Sequence, residues 1–319
     1  MANFTCLAAA RHEVLRRVGW NVEAHGLQRA PRIRVLVGNE IHTSAVGALR
    51  FLGFGADELE KVPVDAQGRM EATGLRRKLQ SGAGPTIVCV QVGNVSTGAS
   101  DPIDEIVAMA STCGAWVHVD GAFGLWAAAV PELRTQIAGI ERADSWATDA
   151  HKWLNVPYDS GLAIVADPAP QRAAMGFSAT YLQRGPEEER VGMDWVQESS
   201  RRARVVPLYA LFRALGRNGI ANMIRRNCAL ATRMATRLSE APGVTILNDV
   251  VLNQHPRAIC GRNGSECRRD HTRCDRPAFR PTASVGSVVR FGRESKPCES
   301  PYRIGPRGRQ TSINPSTRC

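Results

Sequence analysis

The sequence lacks the features of a membrane-spanning or secreted protein. No apolar run is long enough to cross a bilayer, and residues 1–10 lack the basic start and long apolar centre of a signal peptide. The nine cysteines are an odd number without CxxC pairs, which argues against a secreted disulfide framework. We therefore expect a soluble, cytoplasmic protein with reduced thiols. At 43% hydrophobic residues, its 319 residues can bury a sizeable core.

The last 65 residues contain no leucine, methionine or tryptophan, but they hold 13 arginines, 7 prolines and 5 of the 9 cysteines. Residues 255–319 also lack a sustained period of 2 or 3.6, so they cannot bury enough apolar surface to offset the entropy of ordering them. We expect this tail to be disordered. One hypothesis for its composition is a frameshift near residue 254.

The same tail carries a net charge of +9 out of the chain's +11. This charge could support non-specific nucleic-acid binding, but such binding would follow from charge alone and does not indicate a role. Its cysteines recur every seven residues at Cys260, Cys267 and Cys274, near two histidines. Structural zinc sites favour CxxC pairs, so we predict no metal site.

Upstream of the tail, helix-like and strand-like segments alternate. The strand-like segments are IRVLVGN, KVPVD, TIVCVQVG, AWVHVD and DSWATDA. Asp101 is placed to N-cap a helix that has Pro102 at its first position and ends at Gly114. This alternation predicts βαβ units, hence an α/β fold with a mainly parallel sheet covered by helices.

The pattern also predicts a division of the chain into three parts. Residues 1–200 form a large domain, and residues 201–254 form a helical connection and the start of an incomplete small C-terminal domain. Residues 255–319 are the basic tail.

Three candidate functional residues follow predicted strands. His42 comes after IRVLVGN, Asp120 ends AWVHVD, and Lys152 follows DSWATDA. Ligands of α/β sheets bind beyond the carboxyl ends of the strands. Each residue alone is more often structural, as a satisfied histidine, a turn-forming aspartate or a surface lysine.

Together, these three residues match the requirements of pyridoxal 5'-phosphate. That cofactor needs a lysine for its Schiff base, a carboxylate to keep its pyridine nitrogen protonated, and a flat group against its ring. Lys152, Asp120 and His42 can supply one each.

Three segments, GNEIHTSAVGALRFLG, VHVDGAFG and DAHKWLNVPYDSG, resemble in order and spacing the group II pyridoxal-phosphate-dependent amino acid decarboxylases. The resemblance covers about residues 1–254. It implies the aspartate aminotransferase fold, known as fold type I, an amino acid substrate and a homodimer. The HKW motif with an upstream HVDxA motif is quite specific to that family.

The resemblance also implies roles for individual residues. Lys152 would form the Schiff base, Asp120 would pair with the pyridine nitrogen, and His42 would stack on the ring and help to place the substrate carboxylate. Ala122 would pack on the opposite ring face. The remaining cofactor-binding candidates, which could also be ordinary polar groups of loops, are Asp149, His151, Asn94 and Ser96.

Apart from its unusual tail, the sequence departs from that family at two points. Met1 sits inside the motif that would bind the cofactor phosphate, so we expect the phosphate turn to be missing and the phosphate to be held less tightly. The loop FSATYLQRGPEEERVGMDW has no tyrosine near Gly192, where decarboxylases usually place their proton donor; Tyr181 is expected at the base of the loop.

These observations predict a pyridoxal-phosphate-dependent decarboxylase of an L-amino acid, possessing a Lys152 Schiff base and truncated relative to its family. One alternative on the same cofactor is an aldehyde-forming or aminotransferase-like enzyme. An alternative of another class is a basic nucleic-acid-binding protein that acts through its tail.

Overall fold

The fold is built on one six-stranded sheet. It is seen in a computed structural model that describes residues 1–176, 191–198, 200–241, 246 and 248–254. The strands are β1 Arg34–Gly38, β2 Glu60–Val62, β3 Thr86–Gln91, β4 Trp116–Asp120, β5 Ser145–Asp149 and β6 Gly161–Val165.

The strand order across the sheet is β2-β1-β3-β4-β5-β6. The first five strands are parallel to their neighbours, and the edge strand β6 runs antiparallel to β5. The predicted α/β architecture with a mainly parallel sheet is confirmed. Since the parallel strands share one direction, their carboxyl ends meet at one edge of the sheet.

Helices connect the strands and cover both faces of the sheet. Short 3-10 turns lie mainly between β4 and β5. The α-helices are α1 Ala2–Arg16, α2 Val22–His25, α3 Thr43–Phe51, α4 Ala72–Gln80, α5 Ile103–Thr112, α6 Ala150–Trp153, α7 Pro168–Met175 and α8 Val205–Ser239.

Alternate residues of the central strands point to opposite faces of the sheet. On β3, Val88 and Val90 pack in the cluster that includes α4, α5 and α8, whereas Ile87 and Cys89 pack with α1 and α3. All four are buried, as expected for a parallel sheet covered on both sides. Full burial of each valine or isoleucine contributes about 1.5–3 kcal/mol to stability.

Asp101 does not have its predicted role. Helix α5 has Pro102 at its N-cap position and no side-chain cap, one residue later than predicted. The Asp101 carboxylate instead accepts hydrogen bonds from the backbone N–H groups of Met70 and Gln91, each at 2.7 Å. The prediction was wrong because a buried N–H group without an acceptor is costly, and the Asp101 carboxylate is the acceptor for both of these groups. The predicted stop at Gly114 fits, since that residue follows the helix with φ +64°.

Helix α8, Val205–Ser239, lies within the helical connection expected in residues 201–254, but it is bent. At Gly216 the backbone has φ +60° and ψ −176°, a conformation that glycine adopts without a steric penalty. Leu208 and Ile224 lie on either side of this bend and are buried in the same core cluster. Residues on both sides of the bend therefore contribute to one core cluster.

Among the described helices, none combines the length and apolar character of a membrane span. Residues 255–319 and residues 177–190, which include Tyr181, lie outside the described residues. The expectations for the tail and for the loop therefore stay predictions, as does the division of the chain into three parts.

Candidate active site

Four of the predicted site residues lie on neighbouring strands at the carboxyl edge of the sheet. Asp120 is the last residue of β4, and His42, Asn94 and Lys152 follow β1, β3 and β5. These strands are adjacent in the order β1-β3-β4-β5. The crevice beyond this edge, where β2 and β3 depart to opposite sides of β1, is where α/β sheets bind ligands.

The Lys152 amine is held between a carboxylate and an aromatic ring. Its Nζ lies 2.9 Å from Oδ2 of Asp149 and 4.3 Å from the centre of the Phe123 ring. Lys152 belongs to the one-turn helix α6, and Asp149 ends the preceding strand β5. The lysine side chain is 27% exposed, so the amine is sheltered but remains open to a small molecule.

His151 is held by the backbone of Ser160 and by contact with the tilted ring of Tyr158. The Ser160 N–H donates to Nδ1 of His151 at 3.0 Å, and the imidazole lies 4.2 Å from the Tyr158 ring. The same Nδ1 also lies 2.9 Å from the Ser160 carbonyl oxygen. The other ring nitrogen, Nε2, lies 3.8 Å from Oδ2 of Asp149, the carboxylate that pairs with Lys152.

Asp120 is a buried carboxylate held by neutral donors. Its Oδ2 accepts from Nδ2 of Asn3 at 3.1 Å, and its Oδ1 accepts from the backbone N–H of Ala122 at 3.3 Å. Burial raises its pKa, while the Asn3 hydrogen bond and the charges of His42 and Lys152 act in the opposite direction. Within the described part of the chain, no lysine or arginine forms an ion pair with this carboxylate.

His42 caps the helix that begins next to Asp120. It is the N-cap of α3, where its Nδ1 accepts from the Ser44 N–H at 3.2 Å and contacts the Ser44 Oγ at 2.7 Å. The orientation of the His42 ring is therefore set by its contacts with Ser44 in the first turn of α3. Asn3 links this helix end to Asp120, because its Nδ2 lies 3.3 Å from Ser44 Oγ and 3.1 Å from Asp120 Oδ2.

Asn94 and Ser96 form a turn after β3. The Asn94 Oδ1 accepts from the backbone N–H groups of Ser96 at 2.9 Å and Thr97 at 3.3 Å. Its Nδ2 donates to Oε2 of Glu40 at 3.3 Å, which ties this turn to the segment that carries His42. The contacts of Asn94 are thus those of a turn-forming residue, and Ser96 contributes its backbone N–H.

The residues at this edge fit pyridoxal phosphate. A buried carboxylate that lacks a cationic side chain is costly, and a protonated ring nitrogen would compensate its charge. Lys152 presents a primary amine, and His42 presents a flat ring beside the same carboxylate. This donor set matches the lysine and the pyridinium partner that the cofactor requires.

Sequence reasoning missed several residues of this site. Asn3 contacts Asp120, Phe123 contacts Lys152, and His118 and Ser145 lie behind Asn3. His118 stands at a position in AWVHVD that would otherwise be apolar. A polar residue inside a fully buried strand is the signal that could have identified it.

Comparison with known proteins extends the similarity over most of the chain. The pyridoxal-dependent decarboxylase conserved domain matches residues 1–260. The acidic amino acid decarboxylase GADL1 of Mus musculus is 30% identical over 235 residues, which cover 71% of this chain and 43% of that protein. The phenylacetaldehyde synthase of Arabidopsis thaliana is 28% identical over 250 residues, which cover 76% of this chain and 50% of that protein.

A solved structure shows the same fold. The crystal structure of Oryza sativa TDC with PLP and tryptamine has a TM-score of 0.70 and 27% identity, over 80% of this chain and 52% of that chain. The chain spans about half the length of the curated relatives that it matches. The predicted fold of pyridoxal-phosphate-dependent enzymes is therefore confirmed, and the chain belongs to the pyridoxal-dependent decarboxylase family.

Proposed function

We propose that this chain binds pyridoxal 5'-phosphate through Lys152 and is part of an enzyme that decarboxylates an L-amino acid. The observation that carries the proposal is the Asp120 carboxylate, which is buried, held only by neutral donors and subject to the charges of Lys152 and His42. The family match and the similarity to amino acid decarboxylases support it.

The cofactor, when bound, supplies an electron sink for the electron pair that the departing carboxyl group leaves behind. Lys152 would hold the cofactor aldehyde, and Asp149 would orient the lysine amine from 2.9 Å. Asp120 would keep the ring nitrogen protonated, because a carboxylate in a low-dielectric site stabilises a nearby positive charge strongly. His42 would lie against one ring face, and Ala122 would lie against the other.

The remaining candidates would act at the margin of the site. His151 would orient Asp149, since its Nε2 lies 3.8 Å from that carboxylate. Asn94 and Ser96 would shape the turn that borders the cofactor. By the family resemblance, Asp149 and His151 would lie near the cofactor phosphate and Lys152.

Visible absorbance tests the proposal. The full chain mixed with pyridoxal phosphate and freed of excess cofactor should be yellow, and Lys152→Ala should abolish the colour. Lys61→Ala is the matched control, because Lys61 is exposed on β2 at another edge of the sheet. A yellow Lys152→Ala protein with unchanged absorbance would refute the assignment.

An aldehyde-forming reaction is the second candidate. Gly192, at the point where the family places its tyrosine proton donor, has no side chain, and the similar phenylacetaldehyde synthase is named for an aldehyde product. Product analysis of the cofactor-loaded protein separates the two reactions. Decarboxylation alone yields carbon dioxide and an amine, whereas an aldehyde in place of the amine would favour the second candidate.

We further propose, from the family resemblance, that the protein is a cytoplasmic homodimer with the three-part division described above. Free thiols at Cys6, Cys89, Cys113 and Cys228 are consistent with a reducing compartment. Size-exclusion chromatography with light scattering would test the dimer, since a monomer at micromolar concentration would contradict it.

A further inference from the structure

A buried hydrogen-bond network leads from the core of the sheet to Asp120. Trp116 Nε1 donates to Ser145 Oγ at 2.9 Å, and Ser145 Oγ lies 3.0 Å from His118 Nδ1. His118 Nε2 lies 3.1 Å from Asn3 Oδ1, and Asn3 Nδ2 donates to Asp120 Oδ2 at 3.1 Å. All five residues are buried, and they come from α1, β4 and β5.

Each link in this network has one permitted direction. The ionised Asp120 carboxylate can only accept, so the Asn3 NH2 group faces Asp120 and the Asn3 Oδ1 faces His118. Burial lowers the pKa of His118 to about 3, so the ring is neutral. Its Nε2 then carries the proton that goes to Asn3 Oδ1, and its Nδ1 accepts from the Ser145 hydroxyl, which in turn accepts from the Trp116 indole. The Asn3 amide cannot flip without losing both of its bonds.

The end of the network touches both partners of the proposed cofactor ring. Besides Asp120, the Asn3 NH2 group lies 3.3 Å from Ser44 Oγ, and that hydroxyl lies 2.7 Å from His42 Nδ1. One amide group thus contacts the carboxylate at the end of β4 and the helix end that carries His42. A network that only satisfied buried polar atoms would not need to meet both.

The chemical type of Asn3 also matters. A lysine or arginine at this place would neutralise the Asp120 carboxylate. A neutral amide fixes its orientation and leaves its negative charge available to a protonated ring nitrogen. The network therefore fixes the position of the Asp120 carboxylate without neutralising its charge.

We propose that Asn3 is a positioning residue, oriented by His118, that fixes the Asp120 carboxylate and the His42 ring relative to each other for the cofactor ring. The inference rests on the proposed function, because it assigns Asn3 and His118 a purpose only if a pyridine ring binds between those two side chains. It adds two residues, from α1 and the interior of β4, that do not themselves touch the cofactor.

The test uses the full chain with Asn3→Leu, which keeps the side-chain size but removes the amide. Asn3→Ser, whose hydroxyl is too short to replace both bonds, is the second variant in case the first does not fold. Thr5→Val is the matched control, since Thr5 is buried on the same helix and its hydroxyl bonds to the Met1 carbonyl. Three measurements are made on the folded proteins: borohydride trapping of pyridoxal phosphate, its dissociation constant, and the visible circular dichroism per bound cofactor.

We expect trapping at Lys152 in every variant, because the amine is unchanged. The dissociation constant should rise about tenfold or more in both Asn3 variants, which is the loss expected for one hydrogen bond to a charged group. Their visible circular dichroism per bound cofactor should fall, because the ring is no longer held in one orientation, whereas Thr5→Val should match the parent protein. His118→Phe should act in the same direction.

The outcomes separate two failures. If the parent protein is not trapped at Lys152, the proposed function fails and this inference fails with it. If the parent is trapped, but folded Asn3 variants keep either its dissociation constant or its circular dichroism per bound cofactor, Asn3 is only structural and this inference alone is overturned.

Discussion

Asp101 should make the stability of the fold depend on pH in an unusual direction. Burial raises its pKa from the usual 3.8 to about 6, even though its carboxylate accepts two backbone N–H bonds at 2.7 Å. Between these two values the folded state binds more protons than the unfolded state. The contribution of Asp101 to the free energy of unfolding therefore falls as pH rises through this window, and it is constant above it.

The size of this contribution follows from the shift. A change from 3.8 to about 6 corresponds to about 3 kcal/mol in total. About half of that is lost between about pH 5 and about pH 8, where the protein is easier to handle. In Asp101→Asn the titrating group is gone. The free energy of unfolding of the parent protein, minus that of the variant, should therefore fall by about 1.5 kcal/mol from the lower to the higher pH.

Urea unfolding at the two pH values measures this difference. Asp65→Asn serves as the control, because Asp65 also accepts two backbone N–H bonds, from Gln67 and Arg69, but is exposed. If the free energy of unfolding of the parent protein, minus that of Asp101→Asn, stays constant or rises with pH, the two N–H bonds outweigh burial and the reasoning is refuted.

Two further predictions concern the same edge of the sheet. Gly93→Ala should destabilise the fold by about 3 kcal/mol or more, because Gly93 has φ +82° and a new Cβ would lie 2.6 Å from the Gly124 nitrogen. Gly114→Ala is the control, since Gly114 has φ +64° but open space around it. In the same urea assay this control should lose only about 1 kcal/mol. Equal losses of stability in Gly93→Ala and Gly114→Ala would contradict the close approach of Gly93 to Gly124. Asp149→Asn should raise the dissociation constant of pyridoxal phosphate about fivefold, since the partly exposed pair with Lys152 is worth about 1 kcal/mol, and an unchanged constant in a titration would show that Lys152 needs no such partner.

Much of the fold could be predicted from sequence because its strands are short, apolar and clearly separated. Segments such as TIVCVQVG and AWVHVD have the continuous apolar character of strands buried on both faces. Three site residues could be predicted for the same reason. His42, Asp120 and Lys152 each stand where a strand ends, and the carboxyl ends of parallel strands share one edge.

The rest could not be predicted because it depends on contacts between distant residues. Asn3 is 117 residues from Asp120 and 115 from His118 in sequence, and nothing local marks these contacts. Asp101 failed as a predicted cap for the same reason, since one of its donors, Met70, lies 31 residues away. Local patterns indicate helix ends and strands, but they do not indicate which buried donor will reach a given carboxylate.

The measurement that tests the central claim most directly is the location of a trapped cofactor. The chain has only four lysines, Lys61, Lys78, Lys152 and Lys296. After pyridoxal phosphate is added and borohydride reduces any imine, peptide mass spectrometry should find the reduced adduct on Lys152 and, at stoichiometric cofactor, on none of the other three. An adduct spread evenly over the four lysines, or absent from Lys152, would contradict the account.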